Sequence, residues 1–285
     1  MTTMADIWIA IAVMSCISAL VGVVAARLLR TCGQQRAILL LASSVVATFL
    51  FLLYYAGQLF WARFVPSSAA IIYTNLAAVF AAVGAGAGWR LPNTPKWRRA
   101  FLATALGLTS LAAVLWPFLS MFLRPPPEGK DAWQGPVAMQ SSWATCSPAA
   151  AATLLNAEGI RVSEREMIPL CLTDYDGTPT LGLYRGIKLV AGRNGHRVEI
   201  IDRSLESLLA DDDWPVLISA KLPFGVDDPR FADEWGWIPG TGHAVVALAR
   251  TPDGGVLIGD PAIGLEHWSE SKLKTLWQGS GLRVR

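Results

Sequence analysis

The chain has 285 residues, 53% of them hydrophobic and only 16% charged, with a mean hydropathy of +0.39. That balance excludes an ordinary soluble globular protein and makes membrane the first expectation. The formal net charge of +2, tied to short loops between apolar tracts, is too small for a nucleic-acid footprint, so nucleic acid is excluded as a partner.

Four uncharged tracts occupy the first 123 residues, at Ile7–Ala26, Ala37–Ala62, Ser68–Gly88 and Phe101–Leu123. Each is about 20 residues or longer, enough to cross roughly 30 Å of hydrocarbon at about 1.5 Å per residue. The first lacks a basic segment ahead of it, follows Asp6 and ends at Arg27 and Arg30, so it reads as a retained span rather than a signal peptide. Basic residues are held on the cytoplasmic side during insertion. Arg27, Arg30 and Arg36 mark the first loop, and Arg90, Lys96, Arg98 and Arg99 the third. Both loops are therefore expected in the cytoplasm, with both termini outside it, in a bacterial-type plasma membrane. None of the spans contains Asp, Glu, Lys, Arg or His, which argues against an ion or proton path. The helices read as an anchor in the lipid bilayer or as docking elements for partners in a membrane complex. Ala82, Gly84, Gly86 and Gly88 would permit close packing of the third span. No nucleotide-binding motif occurs, so ATP-driven transport would need another chain.

Arg124, Pro125, Pro126 and Pro127 leave the last span as a stiff, extended stalk. The chain thus divides into residues 1–123, four transmembrane helices; 124–134, a proline-rich linker; and 135–285, one domain of typical size. In this last part a helix is expected from Ser147 or Pro148 to Ala157, stopped by Gly159. Ser163 with Glu166 forms a capping box for a second helix, and a third runs from Leu181 to Arg193. Val198–Ile201, Val216–Ala220, Ala244–Ala249 and Val256–Gly259 follow as short strands between Gly, Pro and Asp. Helices first and strands after predict an α+β domain with helices packed on an antiparallel sheet.

Cys146 stands at the start of the first of these helices, where free N–H groups and the helix dipole favour a thiolate. It lies in Gln140-Ser141-Ser142-Trp143-Ala144-Thr145-Cys146-Ser147-Pro148-Ala149. Further on come Gly242-His243-Ala244-Val245-Val246-Ala247-Leu248, and then Gly259-Asp260-Pro261-Ala262-Ile263-Gly264 with Trp268 after it. In this order the segments resemble the bacteriocin-processing, double-glycine leader peptidases, a papain-like cysteine peptidase family, over Gly135 to roughly Gly281. The resemblance implies an α+β papain-like cysteine peptidase domain following the all-α bundle of four transmembrane helices. It implies Cys146 as nucleophile, His243 as general base, Asp260 as the residue orienting the imidazole, and Gln140 as a donor to the oxyanion.

These types suit the chemistry. Imidazole titrates near neutral pH, a carboxylate fixes its tautomer, and an amide N–H stabilises developing negative charge. No cofactor is implied, and no Cys/His spacing suggests a metal. The segment from Leu222 to Thr241 carries Asp227, Asp228, Asp233, Glu234, Trp235 and Trp237 just ahead of His243. Trp235 and Trp237 are candidates to hold an extended peptide beside the site, and the acids to favour basic substrate residues; a solvated acidic loop with buried tryptophans is the alternative.

The family has glycine after the cysteine, whereas Ser147 stands here. Family members fused to exporters carry the domain ahead of the spans, in the cytoplasm, so cleavage of double-glycine leaders is not implied. Two functions follow: a membrane-anchored cysteine endopeptidase acting on a peptide or protein, or a catalytically silent domain of the same fold that binds peptides or partners. Transfer to a nucleophile other than water would use the same residues. Cys171 is expected in the core, with a bridge to Cys146 as the other reading in an oxidising compartment. His196 and His267 read as surface or packing residues.

Overall fold

The computed structural model describes residues 4–226 and 237–285. Apart from its first two residues, the chain forms two compact units, Thr3–Trp61 with Ala69–Leu119, and Ala62–Ser68 with Ser120–Arg285.

The first unit is helical. Helices α1 (Ala5–Leu28) and α2 (Gln34–Leu50) are followed by single turns α3 (Trp61–Phe64, partly in the other unit) and α4 (Ala70–Tyr73), then α5 (Ala77–Trp89) and α6 (Lys96–Leu123). Among the described residues, four helical stretches are long and apolar enough to cross a membrane: 5–31, 34–55, 70–89 and 96–123. The second is shorter than its apolar tract, ending in a wide turn over Phe51–Tyr55. The third is broken at Thr74–Leu76, where the Thr74 hydroxyl donates back to Ala70 O and the Asn75 amide donates to Ala113 O, both at 2.8 Å. Hydropathy registers neither feature.

Helix α5 is the core of this unit and packs on α1 and α2. Its small residues make that possible. A Cβ at Gly86 would stand 2.2 Å from the carbonyl oxygen of Gly22, and one at Gly84 2.7 Å from Ser44 Oγ. The outer helices instead expose Leu20, Leu39, Phe49, Leu53, Phe101 and Leu108, an apolar surface suited to lipid.

The second unit is α+β. Its six-stranded sheet contains β3 (Val198–Asp202), β4 (Val216–Lys221), β5 (Gly242–Arg250), β6 (Val256–Asp260), β7 (Gly264–Trp268) and β8 (Trp277–Val284), antiparallel throughout in the order β3-β8-β4-β5-β6-β7. A two-stranded ribbon, β1 (Trp133–Gln134) with β2 (Val137–Ala138), precedes it. Helix α7 (Cys146–Ala157) lies against β5 and β4; Ala149 to Ala152, Leu154 and Leu155 are fully buried, and the short alanines let the helix come close. Helices α8 (Glu164–Leu170) and α9 (Thr180–Arg193) pack on α7. The capping box is formed, with Ser163 Oγ accepting from the Glu166 N–H and the Glu166 carboxylate accepting from the Ser163 N–H. Leu205, Leu208 and Leu209 of α10 (Leu205–Asp211) and Leu273 and Leu276 of α11 (Glu270–Leu276) join Ile218, Val245, Ile258 and Trp268 in one buried cluster.

The stretch expected to stand off as a stalk is tied to this unit. Arg124 pairs with Asp174 at 2.7 Å and with Asp176, the Arg165 Nε–H donates to Gly129 O at 2.9 Å, and the Lys130 N–H donates to the Glu164 carboxylate at 2.9 Å.

Candidate active site

Three short pieces of chain meet at one end of the sheet. Cys146 is the first residue of α7, whose N-cap, Thr145, does not cap it. The Thr145 hydroxyl serves the preceding turn instead, donating to Ser142 O at 2.9 Å and accepting from the Ser142 N–H at 3.0 Å. The helix start therefore keeps free N–H groups and the positive end of its dipole for the thiol. His243 is the second residue of β5, opposite Ala220 of β4. Asp260 ends β6, and the Asp-Pro turn to β7 is closed by its own side chain, Oδ1 accepting from the Ala262 N–H at 2.8 Å.

His243 Nε2 donates to Asp260 Oδ1 at 2.8 Å, with both residues buried. Asp260 Oδ2 accepts from Trp237 Nε1 at 2.6 Å, and the indole lies over the imidazole with ring centroids 4.5 Å apart. The carboxylate thus has a donor on each oxygen. With Nε2 committed, Nδ1 is the nitrogen left for the thiol, and it has no other partner among the described residues. Burial alone would push the Cys146 thiol up. Hydrogen bonding and charge from His243, with help from the Ala244 backbone and Ser147, hold it below its ordinary value. Burial alone would lower His243, but Asp260 and the Cys146 thiolate raise it to about 10. Displacements in these opposite directions favour a thiolate beside an imidazolium.

Gln140 belongs to the turn ahead of α7. Its N–H donates to Pro261 O at 2.8 Å, which fastens it to the Asp260 turn, and Ser141 is held by Glu164 through its N–H at 2.7 Å and its hydroxyl at 3.0 Å. The Gln140 side chain is only 6% exposed, and neither amide atom has a hydrogen-bond partner among the described residues. A buried amide is costly to leave unpaired, so this group is a candidate hydrogen-bond donor.

Trp237 is 1% exposed and packs on His243 and Trp268, giving it no open face for a peptide. Its geometry makes it a support for Asp260, which sequence reasoning missed. A tryptophan ahead of the histidine reads equally well as a binding platform, and only the fold brings its N–H to a carboxylate 23 positions away. Trp235, Asp227, Asp228, Asp233 and Glu234 lie outside the described residues. Ser147 Oγ is 4.0 Å from Cys146 Sγ. Cys146 and Cys171 are both free thiols; burial pushes Cys171 up to about 12, and it packs against Gly186. His196 contacts Asn194 O, and His267 pairs with Asp253 on the surface. Among the described residues no group of His, Cys, Asp and Glu could hold a metal ion. A thiolate–imidazolium pair, an orienting carboxylate and a free amide donor together suit acyl transfer through a thioester.

No protein-family model and no curated protein matches the chain. Among solved structures, the chain is similar to the peptidase domain of Streptococcus ComA, a bi-functional ABC transporter involved in a quorum-sensing pathway, at 18% identity and a TM-score of 0.41 over 52% of this chain and 96% of that one. It is also similar to a double-glycine-motif protease from an AMS/PCAT transporter in complex with the leader peptide, at 19% identity and a TM-score of 0.41 over 56% of this chain and 96% of that one. For the peptidase domain of Streptococcus mutans ComA the values are 19% and 0.35, over 52% and 98%.

Proposed function

We propose that the protein is a membrane-anchored cysteine peptidase that cleaves a peptide or protein through an acyl-thioenzyme. The observation that carries this reading is the buried His243–Asp260 hydrogen bond joined to a thiol at a helix start whose ionisation His243 favours. In the proposed reaction the Cys146 thiolate adds to the scissile carbonyl, and the Gln140 amide donates to the oxygen as it becomes negative. Collapse breaks the C–N bond, and the His243 imidazolium passes its proton to the departing amine. Neutral His243 then takes a proton from water, hydroxide adds to the thioester, and Cys146 leaves as thiolate while the imidazolium is restored. Asp260 keeps Nε2 protonated throughout, and Trp237 keeps Asp260 in place.

The four apolar helices serve as the anchor. The placement of Arg27, Arg30, Arg36, Arg90, Lys96, Arg98 and Arg99 supports cytoplasmic first and third loops, which would put the peptidase domain outside the cytoplasm. Reporter fusions after Arg124 test this: alkaline phosphatase should be active there, and activity of a cytoplasmic reporter alone would reverse the orientation.

A second reading rests on Ser147, whose hydroxyl stands beside the thiol where the resembled family has glycine. A side chain there narrows access and favours a silent domain that binds peptides or membrane partners. Alkylation of Cys146 by iodoacetamide in the detergent-solubilised full chain separates the two. Rapid labelling at neutral pH that His243→Ala abolishes supports the peptidase; slow labelling indifferent to His243 supports the binding domain.

A further inference from the structure

A cavity of about 190 Å3 opens beside the reactive pair, bounded by Ser147 and His243. At ~30 Å3 per water it has room for roughly six waters, far more than the hydrogen of a glycine needs. Its wall is polar. The polar residues that line it are Ser147, Thr178, Thr180, Ser219 and Gln278, with Lys221 as its cation. No Asp or Glu is among the described residues that line it.

Lys221 ends β4 directly opposite Gly242, the residue before His243, so its stem rises beside the catalytic strand with no facing side chain. It is half-buried, and among the described residues it has no ion-pair partner. Thr180 is the first residue of the fourteen-residue helix α9, whose N-cap, Pro179, offers no side-chain oxygen, so the helix start adds its positive end to the same wall. His243 bounds the cavity on the side of the reactive pair. Hydroxyl-bearing residues around a cation with no ion-pair partner among the described residues are complementary to a carboxylate.

We propose that this cavity is a specificity subsite for an acidic side chain next to the scissile bond, with Lys221 as its charge determinant. The inference rests on the peptidase reading and deepens it: the substrate carries Glu or Asp within reach of the cleaved carbonyl, rather than glycine alone. It also gives Ser147 a role, as a hydroxyl in the wall of the subsite rather than an obstruction.

The test uses the full chain in detergent and peptidyl vinyl sulfones that differ only by Glu, Gln or Lys at each of the two residues nearest the electrophile. The rate of Cys146 labelling is read by mass spectrometry. The expected result is a preference for Glu over Gln of about tenfold at one of these positions, lost in Lys221→Met and turned toward Lys in Lys221→Glu. Equal rates for Glu and Gln, or an unchanged preference in Lys221→Met, overturn the subsite. If that occurs while iodoacetamide still labels Cys146 rapidly and in dependence on His243, the subsite alone falls. If iodoacetamide labelling is slow and indifferent to His243, the peptidase reading falls and the subsite with it.

Discussion

The indole N–H of Trp237 donates to Asp260 Oδ2 at 2.6 Å, on the side of the carboxylate opposite His243. Asp260 is wholly buried, so each oxygen depends on a protein donor. Trp237→Phe keeps the ring over His243 but leaves Oδ2 unpaired, at a cost of about 1–3 kcal/mol. The freed carboxylate can turn away from Nε2. We expect a lower melting midpoint and Cys146 alkylation slowed about tenfold at neutral pH, since each 1.4 kcal/mol is a factor of ten. An unchanged alkylation rate would remove Trp237 from the positioning role.

The displaced titrations set the pH dependence. Cys146 ionises below its ordinary 9.0, so alkylation, which needs only the thiolate, should be fast already below pH 9 and flat above it. In His243→Ala the dominant favourable influence is gone while burial remains, and the rise should move to higher pH. Cleavage also needs the imidazolium proton, so its rate should fall again as pH climbs past about 10, where His243 titrates. For stability the signs are opposite. The raised His243 contributes fully below pH 6.5 and loses that contribution as pH rises toward 10, whereas the lowered Cys146 contributes above pH 9 and loses it as pH falls through its folded value. Stopped-flow alkylation and cleavage profiles on one preparation check both limbs; superimposable profiles would sink the acid role of His243.

Gln140→Ala removes an amide whose two polar atoms have no partner among the described residues. Loss of an oxyanion donor typically costs about 10²–10³ in kcat, so peptide cleavage should fall by about 100-fold. Alkylation with iodoacetamide develops no oxyanion and should stay within about twofold of the parent chain. A parallel loss in both assays would mean that Gln140 supports the turn through its N–H to Pro261 O rather than donating to substrate.

How much of this was legible depends on whether a residue's meaning is local. Ser163 with Glu166, Cys146 at a helix start, and Asp260 before Pro261 are local signals, and each sits in its expected element. Four sheet strands, β3 to β6, were visible as β-rich runs between turn residues, but β7 and β8 were not, and Gly279 and Gly281 interrupt any such run in β8. Gly281 is there for a nonlocal reason, since a Cβ would stand 2.6 Å from Leu217 O of the neighbouring strand. The break in the third apolar tract was hidden for the same cause: the Asn75 amide finds its acceptor, Ala113 O, on another helix. Trp237 could be nominated but not given its task, since its partner lies beyond His243 in the chain.

The helical unit carries a test of its own. Gly86 of α5 faces Gly22 of α1 so closely that an added Cβ would lie 2.2 Å from the Gly22 carbonyl oxygen and 3.0 Å from Ala26 N. Backbone atoms cannot move aside as a flexible side chain could, so Gly86→Ala must push α5 away from α1 or distort both. Overpacking of this kind costs about 1–3 kcal/mol. Gly107, where a Cβ would meet nothing within 4 Å, is the matched control on α6. In detergent, Gly86→Ala should lower the unfolding midpoint while Gly107→Ala leaves it nearly unchanged. If the two variants melt together, the α1–α5 contact is not what holds this unit, and the small residues of α5 owe their presence to something other than helix packing.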